Sequence, residues 1–169
     1  MKKIGVFDAF QETVKHLHEK RGANGLLLIA GESGNPMTIG WGSIGIIWGI
    51  PIFTVLVRPS RYTHELIEDS GAFSVNVLSD EYAKQVLYCG TYSGRDRDKL
   101  KQCGFHLQPG NLISIPHLRQ ASVVYECMVV HRNKVLGDTL KNAIHGHYYS
   151  GGDFHTLYFG EILGVFREE

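Results

Sequence analysis

Apolar residues along the chain fall into two patterns, which divide it into a few short helices and a larger number of strands. Phe10, Val14 and Leu17 recur at helical spacing behind Asp8, a residue suited to an N-cap. Residues 8–20 are therefore read as a helix that ends at the glycines of 22–25. Residues 26–30, Leu-Leu-Leu-Ile-Ala, are a short buried strand, and the composition of 31–36 marks a turn. From 37 to about 44 the pattern alternates. Met37, Ile39 and Trp41 take one face, and Thr38, Gly40 and Gly42 the other. Gly49 and Pro51 turn the chain. Residues 52–57 are continuously apolar and rich in β-branched side chains, as in a strand buried on both faces. A short helix is expected over 64–69, with Ser60 where an N-cap belongs. After Gly71, Phe73, Val75 and Val77 alternate with Ser74 and Asn76, a half-buried strand. Ser79 is expected to cap a helix running to about 88. Residues 104–117 are mostly loop, 123–131 the longest clear strand, 133–137 a turn, and 155–165 the terminal strand behind a tight turn at 151–153. No repeat or linker interrupts this order, so one domain is expected over 1–169. Many strands, few helices and a glycine-rich sheet predict a mainly β protein, a barrel with short helices in its connections.

The stretch 35–63 organises the rest. It carries no charge from 35 to 57 and then ends in Arg58-Pro59-Ser60-Arg61-Tyr62-Thr63. The Thr38, Gly40 and Gly42 face is nearly bare backbone. Such a face admits a flat ligand, or equally the close packing of another sheet. A helix start beyond Arg58 offers free backbone N–H groups, two guanidiniums and the hydroxyls of Ser60 and Thr63, a suitable seat for phosphate. The same residues also suit an ordinary capped helix with solvated arginines. Taken together, a wall for a flat uncharged ring lies beside a clamp for an anion. The Gly/Ser/Thr-rich and charged run 89–100 is either a second wall of that anion site or a solvated loop with local ion pairs.

Composition narrows the function classes. The 169 residues are 43% hydrophobic and 20% charged, as in an ordinary globular domain. Lys+Arg and Asp+Glu balance at 17 each, so binding of nucleic acid through bulk positive charge is not expected, and any anion site must be local. Cys89, Cys103 and Cys127 are odd in number and form no CxxC, which argues against a disulfide framework or zinc knuckle and for a reducing cytoplasm. His16 and His18 fall on different faces of their helix. His145 and His147 lack a carboxylate or cysteine at companion spacing, so no metal is expected. The N-terminus has no apolar run of signal-peptide length. The uncharged stretch 35–57 is long enough to cross a bilayer, but glycines, Pro51 and polar residues interrupt it, so two strands are the better reading and no membrane association is expected. No GxGxxG follows a strand, so no dinucleotide-binding Rossmann site is expected.

Five blocks occur in a telling order: Asn35-x-Met37-Thr38-x-x-Trp41; Arg58-Pro59-Ser60-Arg61-Tyr62-Thr63; Phe73-x-Val75-Asn76-Val77; Ser93-Gly94-Arg95-Asp96-x-Asp98-Lys99; and Tyr158-x-Gly160-Glu161. With them the chain resembles the flavin reductase-like, FMN-binding split β-barrel family, which includes flavoredoxin-like proteins. The resemblance implies a six-stranded antiparallel split β-barrel, a homodimer and FMN near the subunit interface. It assigns the strand Met37, Thr38, Ile39, Gly40, Trp41, Gly42 and Ser43 to the flank of the isoalloxazine ring, with Asn35 at its start. It assigns Ser60, Arg61 and Thr63 to the phosphate, with Arg58 in support and Tyr62 within the same block. Asn76 is assigned to the ribityl chain or ring, and Ser93 and Lys99 to the phosphate side. The family's Gly-Asp-His-Thr pattern is departed from here, because Phe154 stands between Asp153 and His155. His155 is the candidate nicotinamide contact. The implied activity is an NAD(P)H:flavin reductase using NADH or NADPH. The alternatives are a flavoredoxin-like electron carrier fed by a redox protein partner, and a cofactor-free barrel.

Overall fold

The computed structural model describes residues 1–18 and 26–168. In chain order its elements are β1 (Lys2–Ile4), α1 (Phe10–His18), β2 (Leu26–Ala30), β3 (Asn35–Ile39), β4 (Gly42–Ile47), β5 (Ile50–Val57), α2 (Tyr62–Ser70) and β6 (Ala72–Val77). Then follow α3 (Ala83–Thr91), α4 (Lys99–Cys103), β7 (Leu107–Gln108), β8 (His117–Leu118), β9 (Val123–Lys134), α5 (Asn142–Tyr148) and β10 (Thr156–Arg167). The main sheet is antiparallel throughout, in the order β3-β2-β6-β9-β10-β5-β4, with β1 added to β10.

The expected strand 37–44 is broken at Gly40 and Trp41. Its first half, β3, lies at one end of the sheet and its second half, β4, at the other. Two residues thus join the two edges, and the sheet curls on itself as a split barrel. Counted with β3 and β4 as one interrupted strand, the barrel has the six strands expected. Register shifts in the β9–β10 ladder at Phe159/Gly160 and Ile162/Gly164 help the bend. At Gly160 a Cβ would sit 2.5 Å from Phe73 Cζ and 2.9 Å from Cys127 Cβ, so the inner face there has room only for glycine.

The hydrophobic pattern explains which strands are buried twice. On β2, Leu26, Leu28 and Ala30 pack into the barrel with Phe53, Val55, Phe73, Val75, Tyr125 and Tyr158. Leu27 and Ile29 face the other way, under Val86 of α3 and Ile115 and Leu118. A strand covered on both faces reads as an unbroken apolar run, as 26–30 does. Inside the barrel the Tyr125 hydroxyl meets Thr13 Oγ1 of α1 at 2.8 Å, so both buried polar atoms are paired.

Local differences from the sequence reading have simple causes. Asp8 accepts from the Gly5 N–H at 2.8 Å and closes a turn ahead of α1. The expected end of that helix, through Lys20 and the glycines 22–25, lies outside the described residues. Ser79 bonds Glu81 at 2.6 Å, and a 3-10 turn, Asp80–Tyr82, precedes α3. Among the described residues no helix is long and apolar enough to cross a membrane.

Candidate functional site

Two cavities open side by side where β3, the β5–α2 connection, the α3–α4 connection and the start of β10 converge. A polar one, about 380 Å³, is lined by Asn35, Arg58, Ser60, Arg61, Thr63 and Lys99 among others. A second, about 310 Å³, is lined by Thr38, Ile39, Gly40, Trp41, Leu56 and His155 among others. Met37, Arg58 and Arg61 belong to both walls, so the two are continuous in their lining.

The polar cavity is built from the α2 start. Asn35 Nδ2 donates to Thr63 Oγ1 at 2.9 Å, which ties β3 to the first turn of α2. Arg61 stands at the N-cap without a side-chain cap bond, so the amides of that turn have no side-chain partner there. Its guanidinium donates to the Gly90 carbonyl at 3.1 Å across the cavity. Lys99, only 4% exposed, donates to the Cys89 carbonyl at 3.4 Å. Among the described residues no carboxylate pairs with Lys99 or Arg61. Burial pulls the Lys99 ammonium below its ordinary pKa, and Arg61 nearby adds to the effect. Two cations face a cavity with no carboxylate of their own, and an anion there would relieve both. Gly94 on the far wall lies so close to the Asn35 side chain that a Cβ would collide with it.

Ser60 does not act as the expected helix cap. Its N–H and hydroxyl both donate to the Asp153 carboxylate, at 3.2 and 2.6 Å. Asp153 holds φ 54, and Arg58 donates to its carbonyl at 2.7 Å and to the Tyr148 carbonyl at 2.8 Å. Asp153 therefore places a negative charge on the rim of the polar cavity.

The second cavity is apolar and aromatic. Trp41, 39% exposed, lies edge-on to Tyr148 at 4.9 Å and tilted to His155 at 5.0 Å. A Cβ built on Gly40 meets nothing within 4 Å. The glycine thus opens onto space instead of packing against another sheet. At Gly42 the opposite holds, because a Cβ there would sit 2.7 Å from the Thr54 carbonyl oxygen. Phe154, the interposed residue, stacks on Tyr149 with centroids 5.0 Å apart, and the Tyr149 hydroxyl meets His155 Nδ1 at 2.8 Å.

Burial pushes the His155 imidazole down to about 4, with Arg58 and Arg61 lowering it further and Asp153 opposing them. His155 is therefore neutral at pH 7. Because the unfolded chain binds this proton more readily, the stability involved is present above about pH 6.5 and is lost as pH falls towards 4. His155→Gln should flatten that part of the urea-unfolding profile by roughly 2–3 kcal/mol relative to the parent chain. Equal slopes in parent and variant would show that His155 titrates normally. His64 and His117 are lowered by burial too, so the difference between the two chains is the measure.

The structure brings Asn35, Met37, Thr38, Ile39, Gly40, Trp41, Arg58, Ser60, Arg61, Tyr62, Thr63, Ser93, Lys99 and His155 to the cavity walls. Three expected residues are not there. Gly42 and Ser43 have passed onto β4, paired with Val55 and Thr54. Asn76 is fully buried, donating to Ser74 Oγ at 3.0 Å and accepting from the Leu118 N–H at 2.8 Å, so its amide secures the 116–118 segment. The sequence reading missed Asp153 and Tyr148 on the walls. The signals for Asp153 are the Gly-Gly-Asp turn and its place in the Gly-Asp-His-Thr pattern, and Tyr148 is delivered by α5, where His145 and His147 also lie.

The sequence model of the flavin reductase like domain matches residues 20–169. An uncharacterized protein of Archaeoglobus fulgidus is 31% identical over 140 residues, covering 82% of this chain and 69% of that one. Among solved structures, flavoredoxin from Methanosarcina acetivorans superposes with a TM-score of 0.69 at 28% identity, over 86% of this chain and 69% of that one. An FMN-binding protein from Thermus thermophilus, solved with bound p-hydroxybenzaldehyde, gives 0.68 at 22% identity over 100% and 81%, a likeness of fold alone.

Proposed function

The chain belongs to the flavin reductase-like domain family, and from that premise we propose that it binds FMN across the two adjoining cavities and acts as an NAD(P)H-dependent flavin reductase. The observation that carries this reading is the shared wall of Met37, Arg58 and Arg61 between a cationic cavity and an aromatic one. One ligand with an anionic tail and a flat ring matches that pairing. The donor set fits: Arg61 and Lys99 bring uncompensated positive charge, and Thr63 and Ser93 bring hydroxyls. The open face at Gly40 fits a ring laid against bare backbone. When bound, FMN supplies a centre that accepts a hydride or passes electrons singly. The protein's part is to hold, orient and shield. Arg58 is fixed by two carbonyls and by the Tyr149 ring, 5.1 Å from its guanidinium, so it presents a rigid cation between the cavities. Neutral His155, with Nδ1 engaged by Tyr149, offers Nε2 to a nicotinamide without adding charge.

Among the described residues, Asp153 is the acid on the walls and opposes an anion. Asp153→Asn is expected to tighten FMN binding by about 1 kcal/mol, because it removes a like charge while the Asp153 carbonyl still orders Arg58. An unchanged or weaker dissociation constant would mean that the phosphate lies away from Ser60.

The test of the function is an anaerobic absorbance spectrum after FMN and then NADH or NADPH. Flavin bands that bleach with reduced nicotinamide support the reductase. A second reading, an electron carrier fed by a protein partner, is favoured by the 28% identity to a flavoredoxin. It predicts bands that resist NAD(P)H but bleach with dithionite. No uptake of FMN overturns both. The homodimer and the cytoplasmic location belong to the same reading. Trp48, with His131 and Phe159 beside it at 5.9 and 6.1 Å, offers an apolar surface for a second copy, and sedimentation of the purified chain tests that.

A further inference from the structure

The last turn of α3 and the last residue of α4 bring two thiols together. Cys89 Sγ and Cys103 Sγ lie 3.9 Å apart, and both are free. A disulfide needs sulfurs about 2.05 Å apart, so closure asks for an approach of roughly 2 Å. Side-chain rotation and a small shift of the short helix α4 can supply it. Cys127 cannot compete, because it packs inside the barrel, while Cys89, on the buried face of α3, packs on the other side of the sheet. The two thiols are not equivalent. Cys89 is 1% exposed and Cys103 is half-buried, so an oxidant in solution reaches Cys103 first.

The position of the pair gives it a consequence. Thr91, Tyr92, Ser93, Gly94 and Lys99 all lie between the two cysteines in sequence, and with Cys89 they line the polar cavity. Lys99 rests its ammonium on the Cys89 carbonyl and opens α4, the helix that Cys103 ends. Thr63, across the cavity, belongs to the start of α2, which Asn35 ties to β3, and from there Arg61 reaches over to the Gly90 carbonyl.

We propose that Cys89 and Cys103 form a reversible disulfide under peroxide, and that this bond lowers the affinity of the polar cavity for its anionic ligand. Burial holds the Cys103 thiol above its ordinary pKa, so its minor thiolate fraction attacks the peroxide O–O bond, forming S–OH and releasing hydroxide, which takes up the proton the thiol gave and leaves as water. The Cys89 thiol then attacks that sulfur, the S–S bond forms, and a second water leaves. Two thiols lose two electrons in all, and one hydrogen peroxide is reduced to two waters. Closing the bond draws α4 onto α3 and carries Lys99 with it, away from its register with Arg61 and Thr63. Anion seats depend on placement to a fraction of an ångström, so affinity falls. The disulfide stands on geometry alone, whereas its effect on FMN rests on the flavin reading above.

The test uses the whole reduced chain treated with hydrogen peroxide. Free thiols under denaturing conditions should drop from three to one, and peptide mapping should link Cys89 to Cys103 and leave Cys127 free. Amide exchange over residues 90–98 should change on oxidation, and the FMN dissociation constant should rise about fivefold and recover with dithiothreitol. Cys103→Ser should remove every one of these responses, and Cys127→Ser should keep them. Three surviving thiols, a link to Cys127, or sulfinic acid at Cys103 would overturn the disulfide. A formed disulfide with unchanged exchange and unchanged affinity would overturn the coupling. A reduced chain that binds no FMN would count against the flavin reading instead; the thiol count would still decide the bond, and the exchange its effect on the wall.

Discussion

Gly40→Val is expected to weaken FMN binding by about 1–3 kcal/mol, roughly 5- to 150-fold, while the fold survives, since that is the cost of overpacking a filled site. A Cβ at Gly40 meets nothing within 4 Å, so the valine backbone and first carbon are accepted without strain. The added methyls then occupy the apolar cavity beside Trp41 and His155. Titration of flavin fluorescence measures the loss, and a thermal melt by circular dichroism checks the fold. A variant that binds FMN like the parent would place the ring elsewhere. A variant that unfolds would show that the cavity is not open in solution. The contrast with Gly42 sharpens the point. There the Cβ would strike the Thr54 carbonyl at 2.7 Å, so the same substitution should damage the barrel itself.

The second large effect concerns charge. Arg61→Ala should cost about 1.5–3 kcal/mol of FMN binding, the scale of a hydrogen bond to a charged group. Arg61 lines both cavities and spans from the start of α2 to the Gly90 carbonyl. Its removal leaves Lys99 as the remaining cation on that side without a carboxylate among the described residues. Arg95→Ala is the matched control. Arg95 pairs with Glu65 at 2.7 Å, lies 5.0 Å over the Tyr62 ring and touches the Ser60 carbonyl at 3.4 Å, but it is exposed and lines neither cavity, so its loss should change binding by less than about 0.5 kcal/mol. Equal effects of the two substitutions would mean that only the general positive potential matters. No effect at Arg61 would remove it from the phosphate seat.

Much of the candidate site is legible because its parts are close in sequence. The bare face at Gly40 and the cationic block from Arg58 to Thr63 are each one local pattern, and a run of alternation or a helix start has the same meaning wherever it lies. The differences are local as well. The resemblance places the whole run from Met37 to Ser43 at the ring, but the chain passes from one sheet edge to the other at Gly40 and Trp41, which carries Gly42 and Ser43 off the cavity walls and onto β4. Asn76 was assigned to the ligand from its block, yet its amide is consumed by Ser74 and the Leu118 N–H. A buried amide goes to whichever backbone group is left unpaired nearby, and that group comes from 42 residues along the chain.

Local order along the chain is enough to mark the elements: which stretches alternate, which are buried on both faces, where glycine and proline turn the chain, and that any anion site must be local in a chain of zero net charge. These follow from periodicity and composition, which are properties of neighbours. Only the tertiary structure decided that Asp153 reaches Ser60, that Tyr148 and Tyr149 come beside Trp41 and His155, and that Cys89 and Cys103 meet while Cys127 stays apart. Trp41 meets Tyr148 and His155 because the sheet curls and the chain crosses between its edges at Gly40 and Trp41, whereas Asp153 meets Ser60 because β10 pairs with β5, and the two thiols meet because α4 packs on α3. No local pattern records which distant residues that closure makes into neighbours.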